Sequence, residues 1–442
     1  MTRHSLPVLA AILCLSSILA YGGPTKAQSN TVTLWTKFNV KTPHNSQDNW
    51  LAAFEAKYPA DNKGATITDV FQPYDKINVN LHLAIQSGQD VPDISYMSIE
   101  YTKPFWLSHD LMDLSDFVKS ATWYKDIDPV DLSNCTAPDG KIYCVPTSVT
   151  SILTYYWKES YPDKFPGTTD ELLNSAINGG FSLTFKGSEA QGIETTWFPL
   201  IASAGSDVTD DKGNATWANP TVQKVIEWGR AMLKTKHAPP ADIQPKFDDE
   251  NSFKDGQAGA IMAGSWSYVY LYPIKSPGGS VYNNKGNSLF DAFLAGKIGY
   301  APPVAWPGGK PVDVLTGSAW AIPRNAANVK GAEDFINYFM TTDQDLKFAL
   351  AYGAAPTLLS AQVDKTFQTP YWQNIVSYNQ SYGHIMPDFA DFDGSGIKTL
   401  ADTITKLLNN TDLDIPTELK ASQDAYNNHV IAAATSAATA TK

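Results

Sequence analysis

Short apolar runs recur along this chain with helical patterns between them, and that alternation restricts the fold more than any other feature. Val32-Thr-Leu-Trp35 reads as a buried strand, followed by the more polar Thr36-Lys37-Phe38-Asn39. Residues 49–58 carry Trp50, Leu51, Phe54 and Tyr58 at helical spacing. A second strand is expected at 65–70, a helix at 76–87 and a third strand at 93–97. Strand–helix–strand repetition of this kind implies crossover connections and a largely parallel sheet. Further helical patterns cover 170–178, 193–203 and 221–234. The cluster Pro302-Pro303, Pro307-Gly308-Gly309 and Pro311 reads as a crossing between two bodies of structure. A chain of 442 residues is too long for one compact core and comfortable for two lobes.

The first stretch is an address. Arg3 and His4 precede an apolar run from Leu6 to Ala20, and small or polar residues follow. That is the pattern of a secretory signal peptide over residues 1–27, with cleavage expected after Ala27 and Ala20 as the competing site. Leu13 precedes Cys14 where a lipidation signal wants a small residue, so a periplasmic protein is expected ahead of a lipid-anchored one. Export leaves Cys135 and Cys144 flanking Pro138-Asp139-Gly140, and Asp-Gly is a hairpin-turn signal. A hairpin brings the two sulfurs within bonding range in an oxidising compartment. The alternative is two separately buried thiols; either way the pair is structural.

Charge narrows the partners. Lys and Arg total 33 against 45 Asp and Glu, a net charge of -12, which opposes binding to nucleic acid or an anionic membrane. Neither a cofactor nor a metal is expected, because the 7 His are scattered with no pair at metal-ligand spacing. The string from Asp391 through Asp393 and Gly396 to Asp402 echoes a calcium loop, but its last ligand is Asp and its Ile397 falls one place early. An ordinary loop capped into the following helix is the expectation there. The 12 Trp and 21 Tyr are the unusual feature, and such rings suit flat, hydroxylated ligands as well as cores.

Several motifs then occur in a recognisable order. They are Val32-Thr-Leu-Trp35, Gly88-Gln-Asp-Val-Pro92-Asp93-Ile94 and Asp139-Gly140-Lys-Ile-Tyr-Cys-Val-Pro146. Phe253-Lys-Asp-Gly256, running on to Gly264-Ser265-Trp266, comes next, followed by Thr316-Gly317-Ser-Ala-Trp-Ala-Ile322-Pro323. Ala332-Glu-Asp-Phe335-Ile336, ahead of Gly353-Ala-Ala-Pro356, completes the set. In this order they resemble the carbohydrate-type extracellular solute-binding proteins of ABC importers, the maltose-binding-protein-like family. The chain departs from the family at Trp157, where Asn is usual, and at Cys144, where Gly is. The resemblance implies an α/β periplasmic-binding-protein fold of two discontinuous lobes joined by a hinge, with a ligand cleft between them. Lobe I would hold 31–147 and 314–370, and lobe II 148–313 and 371–436. It also implies a monomer whose partners are a carbohydrate and the importer's transmembrane subunits.

Sugar recognition needs aromatic faces for the ring and charged or amide groups for the hydroxyls. Trp266, after Gly264-Ser265 at the end of an apolar run, is the expected stacking wall, with the small residues making room for ligand. Lys37 and Asn39 lie past the first strand's C-terminal end, where open α/β sheets place ligands. Glu100 and Tyr101 stand just beyond the third strand, and Asp93 opens it, with either ligand contact or a loop-holding role. Ser148 and Thr150 flank one crossing; Gly317, Ser318 and Trp320 occupy the return crossing. Trp197 begins a helix whose start faces the cleft in the family. Two other classes remain open at this point: a binder of another solute such as a polyamine, and a secreted carbohydrate-active enzyme using paired carboxylates. Against an enzyme, the chain has no Gly-x-Ser-x-Gly elbow and no metalloprotease helix motif.

Overall fold

A computed structural model describes residues 30–74, 76–178, 183–184, 190–235, 248–267, 271–284, 288–386, 389–391 and 394–440. The leader expected at 1–27, with its cleavage sites and Cys14, lies outside them. Strands β1 (Thr31–Thr36), β2 (Thr66–Phe71), β3 (Ile94–Ser98) and β4 (Val145–Thr150) fall in the first part of the chain. Then come β5 (Ile152–Trp157), β6 (Leu183–Thr184), β7 (Ala260–Gly264), β8 (Ile274–Lys275) and β9 (Val281–Tyr282). The last are β10 (Ile298–Ala301), β11 (Asp313–Ala321), β12 (Ala355–Pro356) and β13 (Gly383–Ile385).

These strands build two α/β lobes. A seven-stranded sheet runs β12-β4-β11-β3-β1-β2, with β13 added on β11, and a four-stranded sheet runs β10-β5-β7-β6. The chain passes from the first sheet to the second at Ser151, between β4 and β5, and returns through 302–312, between β10 and β11. A largely parallel sheet was the expectation from the alternation. It holds where helices bridge consecutive strands: β1 is parallel to β2 and to β3. Elsewhere it is corrected, because β11 runs antiparallel to both β3 and β4, and β5 runs antiparallel to both β7 and β10. Strands β4 and β11 connect onward to the other sheet, so no local crossover dictates their direction.

Local chemistry sets the first lobe's helices. Asn45 caps Ser46–Asp61 by accepting the Asp48 N–H at 2.9 Å, and the helix buries Trp50, Leu51, Phe54 and Tyr58. Their rings meet Phe335, Phe339 and Phe348 from the return segment, the Trp50 and Phe348 centroids lying 4.7 Å apart. Helix Ile77–Ser87 stops at Gly88, whose φ of 68° is the left-handed conformation that glycine adopts without steric cost. Asp93 then ties the base of the lobe. Its two carboxylate oxygens accept the Thr33 N–H at 2.8 Å and the Asn328 N–H at 2.7 Å. That is the loop-holding role, at the N-terminal end of β3 and far from the strand ends that face the second lobe.

The second lobe has a core on each side of its sheet. One joins Trp197, Trp217, Ile226, Leu400 and Ile404; the other joins Leu153, Tyr155, Trp157, Phe253 and Trp372. Trp157, one of the departures from the family pattern, stacks on Phe253 with centroids 5.6 Å apart and is fully buried. Filling an apolar core with a ring of this size contributes about 1.5–3 kcal/mol. The acidic string runs into helix Ser395–Asn409, and its Phe392 and Asp393 lie outside the described residues. Asp391 accepts the Gly396 N–H at 3.0 Å and the Tyr426 hydroxyl at 2.8 Å, and no group of metal-ligating side chains assembles among the described residues.

Cys135 and Cys144 are joined in a disulfide. Between them the chain reverses at Gly140, with φ of 82°, while Ala137 and Lys141 pair and Tyr143 donates to the Cys135 carbonyl at 3.0 Å. A loop this short constrains the unfolded chain by roughly 2–3 kcal/mol. Cys144→Ser should therefore lower unfolding stability by about that amount and leave ligand affinity nearly unchanged. Denaturant unfolding beside calorimetric titration reads both; an affinity loss matching the stability loss would refute it.

Candidate functional site

The hinge comes first, because it fixes where the lobes meet. β4 and β11 lie side by side, and their hydroxyls are spent on one another. Thr147 Oγ1 and Ser318 Oγ are 2.6 Å apart, Ser148 Oγ and Ser318 Oγ 3.3 Å, and Thr150 Oγ1 and Thr316 Oγ1 2.7 Å. At Gly317 a Cβ would stand 2.2 Å from the Ser148 carbonyl oxygen, so only glycine lets the two strands approach. Ser148, Thr150, Gly317 and Ser318 were expected to meet the ligand. In the structure the three hydroxyl-bearing side chains are buried in the strand pairing with their hydroxyls engaged there, and Gly317 is the point of close approach.

Asp313 locks the point of crossing. Its carboxyl accepts the Ser151 hydroxyl and, at 2.6 Å, the Ile152 N–H, where the chain leaves the first sheet. Ser265 joins the same knot by donating its N–H to the Ser151 carbonyl at 2.8 Å. Burial pushes the Asp313 carboxyl up to about 8 despite those two donors, so the group is mostly protonated at neutral pH.

Two more of the expected residues are also core. Trp320 is fully buried, packed edge-on against Tyr96, Phe335 and Phe339 at 6.1, 5.2 and 5.7 Å. Trp197 lies in the second lobe's core, where a Cβ on Gly229 would come within 2.9 Å of its ring. Both point into their own lobe because the strand or helix that carries them turns that face to the lobe's core. Asn39 is a turn residue: its N–H goes to Asp48 at 2.8 Å and its side-chain oxygen takes the Thr42 N–H at 3.1 Å.

Tyr101 and Trp266 each approach the other lobe, and Lys37 stands among tyrosines of the first. Lys37 extends from the end of β1 into a box of tyrosines, its Nζ 4.8, 5.1 and 5.0 Å from the ring centroids of Tyr74, Tyr96 and Tyr352. It also donates to the Tyr352 hydroxyl at 3.2 Å, and that oxygen pairs with the Tyr96 hydroxyl at 2.9 Å. Cation–π attraction of this kind holds the ammonium and orders the rings. Tyr101, in the turn Ile99–Tyr101 after β3, reaches the second lobe, its hydroxyl 3.3 Å from where a Cβ on Gly394 would stand. Glu100 lies in the same turn, its side chain outside the described part of the structure.

Trp266 follows β7 and is half-buried. Gly264 makes room for the indole itself, not for a ligand as the sequence suggested: a Cβ there would lie 2.1–2.2 Å from three ring carbons. Across the lobes, Gly353 backs onto it, with space for a Cβ only 3.0 Å from the Trp266 Cα. Tyr352 of the box directly precedes that glycine. Tyr74, Tyr96 and Tyr352 went unnoticed in the sequence, although Tyr352 directly precedes the Gly353-Ala-Ala-Pro356 motif. Glu194 is buried in the π-helix Ile193–Trp197, which packs on β7 and β11. Tyr96 and Tyr352 are buried in the first lobe's core, so the surface left to a partner is the face of Tyr74, the Lys37 ammonium and the Trp266 indole, groups that suit a polyhydroxylated ring.

A raised carboxyl pKa has a definite sign. A group protonated when folded and ionised when unfolded contributes stability below about pH 4 that is lost as pH rises toward 8. Asp313 behaves so, and Asp345 and Glu55, raised to about 7 and about 8 by burial, act in the same direction. Asp313→Asn mimics the protonated acid. The wild type's melting-temperature advantage over this variant should therefore shrink or reverse between pH 5 and pH 8; a difference that ignores pH would count against a neutral hinge acid.

Residues 49–373 match the model of the bacterial extracellular solute-binding protein family. A probable ABC transporter-binding protein of Deinococcus radiodurans is 26% identical over 296 residues, covering 63% of this chain and 66% of its own length. A maltooligosaccharide ABC transporter solute-binding lipoprotein of Streptococcus pneumoniae is 26% identical over 286 residues, covering 60% of this chain and 59% of its own. The match thus spans less than two thirds of either relative. The GacH receptor of Streptomyces glaucescens, solved unliganded and with acarbose, superposes with a TM-score of 0.73 at 17% identity, over 90% of this chain and 98% of that one. Two lobes, a strand-paired hinge and a match over most of the sequence lead to one conclusion: the chain belongs to the bacterial extracellular solute-binding protein family.

Proposed function

We infer that this protein captures a sugar between its lobes and presents it to the membrane subunits of an ABC importer. One observation carries the reading: Trp266, laid on Gly264, meets Gly353 of the first lobe, the residue that follows Tyr352 of the Lys37–tyrosine box. A pyranose offers an apolar face to the indole and hydroxyls to the ammonium and phenols. The names of the relatives, one a maltooligosaccharide binder, support the same ligand class. A polyamine is the alternative solute, and the ammonium of Lys37 in the wall works against a polycation by like-charge repulsion.

The lobes of this reading are 31–147 with 314–370 and 148–313 with 371–436, and they close on the ligand by bending at the β4–β11 strand pair. The protein acts as a monomer outside the cytoplasmic membrane, released after Ala27 and not lipid-anchored at Cys14. No described helix is long and apolar enough to cross a membrane. Binding proceeds without turnover, and no cofactor, metal or nucleic acid takes part.

Thermal-shift screening of the mature protein against mono- and oligosaccharides tests the reading. A sugar at 100 times its dissociation constant adds about 2.7 kcal/mol of stability. Trp266→Ala should weaken the best sugar about ten- to a hundredfold, since stacking contributes about 1–3 kcal/mol. It should leave the lobe folded, because a cleft wall seals no cavity when truncated. Chromatography after long incubation should return the sugar unchanged. Hydrolysis that scales with protein concentration would make the protein an enzyme, and wild-type affinity in an unstable Trp266→Ala variant would make Trp266 core.

A further inference from the structure

Helix Pro370–Tyr382 is tied to β10, an edge strand of the second sheet, and carries no Asp, Glu, Lys or Arg in its 13 residues. Tyr371, Trp372 and Ile375 face the core. Asn374, Tyr378 and Tyr382 recur at i, i+4 and i+8, so they form one stripe along the helix, and each is half-buried. Ser377 and Ser381 flank that stripe and are exposed.

Tyr300 of β10 extends the stripe across to the sheet. Its hydroxyl accepts the Asn374 side-chain N–H at 2.8 Å and donates to the Pro370 carbonyl at 3.1 Å. Its ring lies against Phe293 and Tyr371, with centroids 5.1 and 5.8 Å away. Tyr378 and Tyr382 follow along the helix, their centroids 6.0 Å apart. Tyr156 lays its phenol over Gly299 of the same strand, where a Cβ would stand 2.5 Å from the hydroxyl oxygen. Burial, and then the phenols of Tyr300, Tyr382 and Tyr156, push the Tyr378 hydroxyl up to about 12, so it remains a donor at neutral pH. Rings held in this way lose little freedom when a ligand covers them.

This face is separate from the cleft. Tyr300, Tyr371 and Tyr378 pack on the core that holds Tyr155 and Trp157, whereas Trp266 packs on the core of Trp197 and Leu400, on the other side of the sheet. Its chemistry excludes several occupants. Nucleic acid and anionic membranes need Lys or Arg, and neither the helix nor β10 has any. A protein interface centres on apolar side chains, and no aliphatic side chain of either segment is exposed. Ring faces beside hydroxyl and amide groups match uncharged sugar rings. An open face does not enclose a single sugar, so each ring contributes little. A chain of repeated rings gains by holding several such contacts at once.

We propose that the Tyr300–Tyr378–Tyr382 face is a second carbohydrate site, outside the cleft, that takes uncharged polysaccharide. It does not depend on what the cleft captures.

Affinity electrophoresis of the mature protein in native gels cast with soluble α-glucan, arabinan or β-mannan tests the proposal, with mobility read against a polymer-free gel. At least one polymer should retard the wild type, and it should retard Trp266→Ala equally. Tyr382→Ala should weaken the apparent association roughly two- to tenfold, the range of one aromatic contact. Ser381→Glu, which puts a charge at an exposed position beside the stripe, should abolish retardation and leave the melting temperature unchanged. The proposal fails if no polymer retards the wild type. It also fails if Trp266→Ala abolishes retardation while Tyr382→Ala and Ser381→Glu preserve it, because the polymer then enters the cleft. Self-association that Ser381→Glu disrupts, without retardation by any polymer, would assign the face to a protein contact instead.

Discussion

Everything else in this molecule is arranged around the strand pair β4–β11 and the buried carboxyl of Asp313 at its foot. The two strands belong to the first sheet, yet β4 leads through Ser151 into the second and β11 follows the return segment 302–312 from it. Their pairing is the narrow waist through which both lobes are held. Hydroxyl-to-hydroxyl contacts between Thr150 and Thr316 and between Thr147 and Ser318 satisfy polar groups that water cannot reach. Hydrogen bonds of this type are directional but individually modest, about 1 kcal/mol each net. A waist built from them keeps register while permitting the small rotations that closure of two lobes requires.

The carboxyl of Asp313 adds a constraint that hydroxyls alone do not supply. Serving Ser151 and Ile152 together, it ties the return crossing to the outward one. Burying an ionised carboxylate here would be costly, and the group answers by remaining protonated. Burial also raises Asp345, to about 7, where it caps the Thr357–Leu358 turn from a fully buried position. An acidic chain that keeps several buried acids neutral is one whose stability favours mildly acidic conditions.

With the waist fixed, the site follows from which ends of which strands reach it. Lys37 and Ser98 stand at the C-terminal ends of β1 and β3, and Trp266 follows the end of β7 beside the Ser151–Ser265 knot. Aromatic rings divide between two tasks. Trp157, Trp197 and Trp320 are sealed in cores, where truncation leaves cavities of the kind that cost about 3–5 kcal/mol. Trp266 is half-buried and meets Gly353 of the first lobe, and Tyr74 keeps about half its surface exposed beside Lys37.

The sequence by itself determined the local elements and the family. Strand β1, helix Ser46–Asp61, β2, helix Ile77–Ser87 and β3 were legible because their periodicities are properties of consecutive residues. So was the disulfide, since an Asp-Gly turn between two cysteines is a local event. The positions of Lys37 and Trp266 just past the ends of β1 and β7 were legible too, because a strand's end is a local feature. Tertiary structure alone decided which aromatics face the cleft. Trp320 and Trp266 look alike in sequence, each near glycine and serine in an apolar strand context, yet one is roofed by Phe335 and Phe339 from a distant helix and the other is not. The hydroxyls of Ser148, Thr150 and Ser318 read as ligand partners until their own partners, 166 to 171 residues away, were seen to occupy them. The tyrosine box around Lys37 draws Tyr74, Tyr96 and Tyr352 from three separate segments. No pattern along the chain encodes such a meeting, because it is made by the packing of sheet and helices in space.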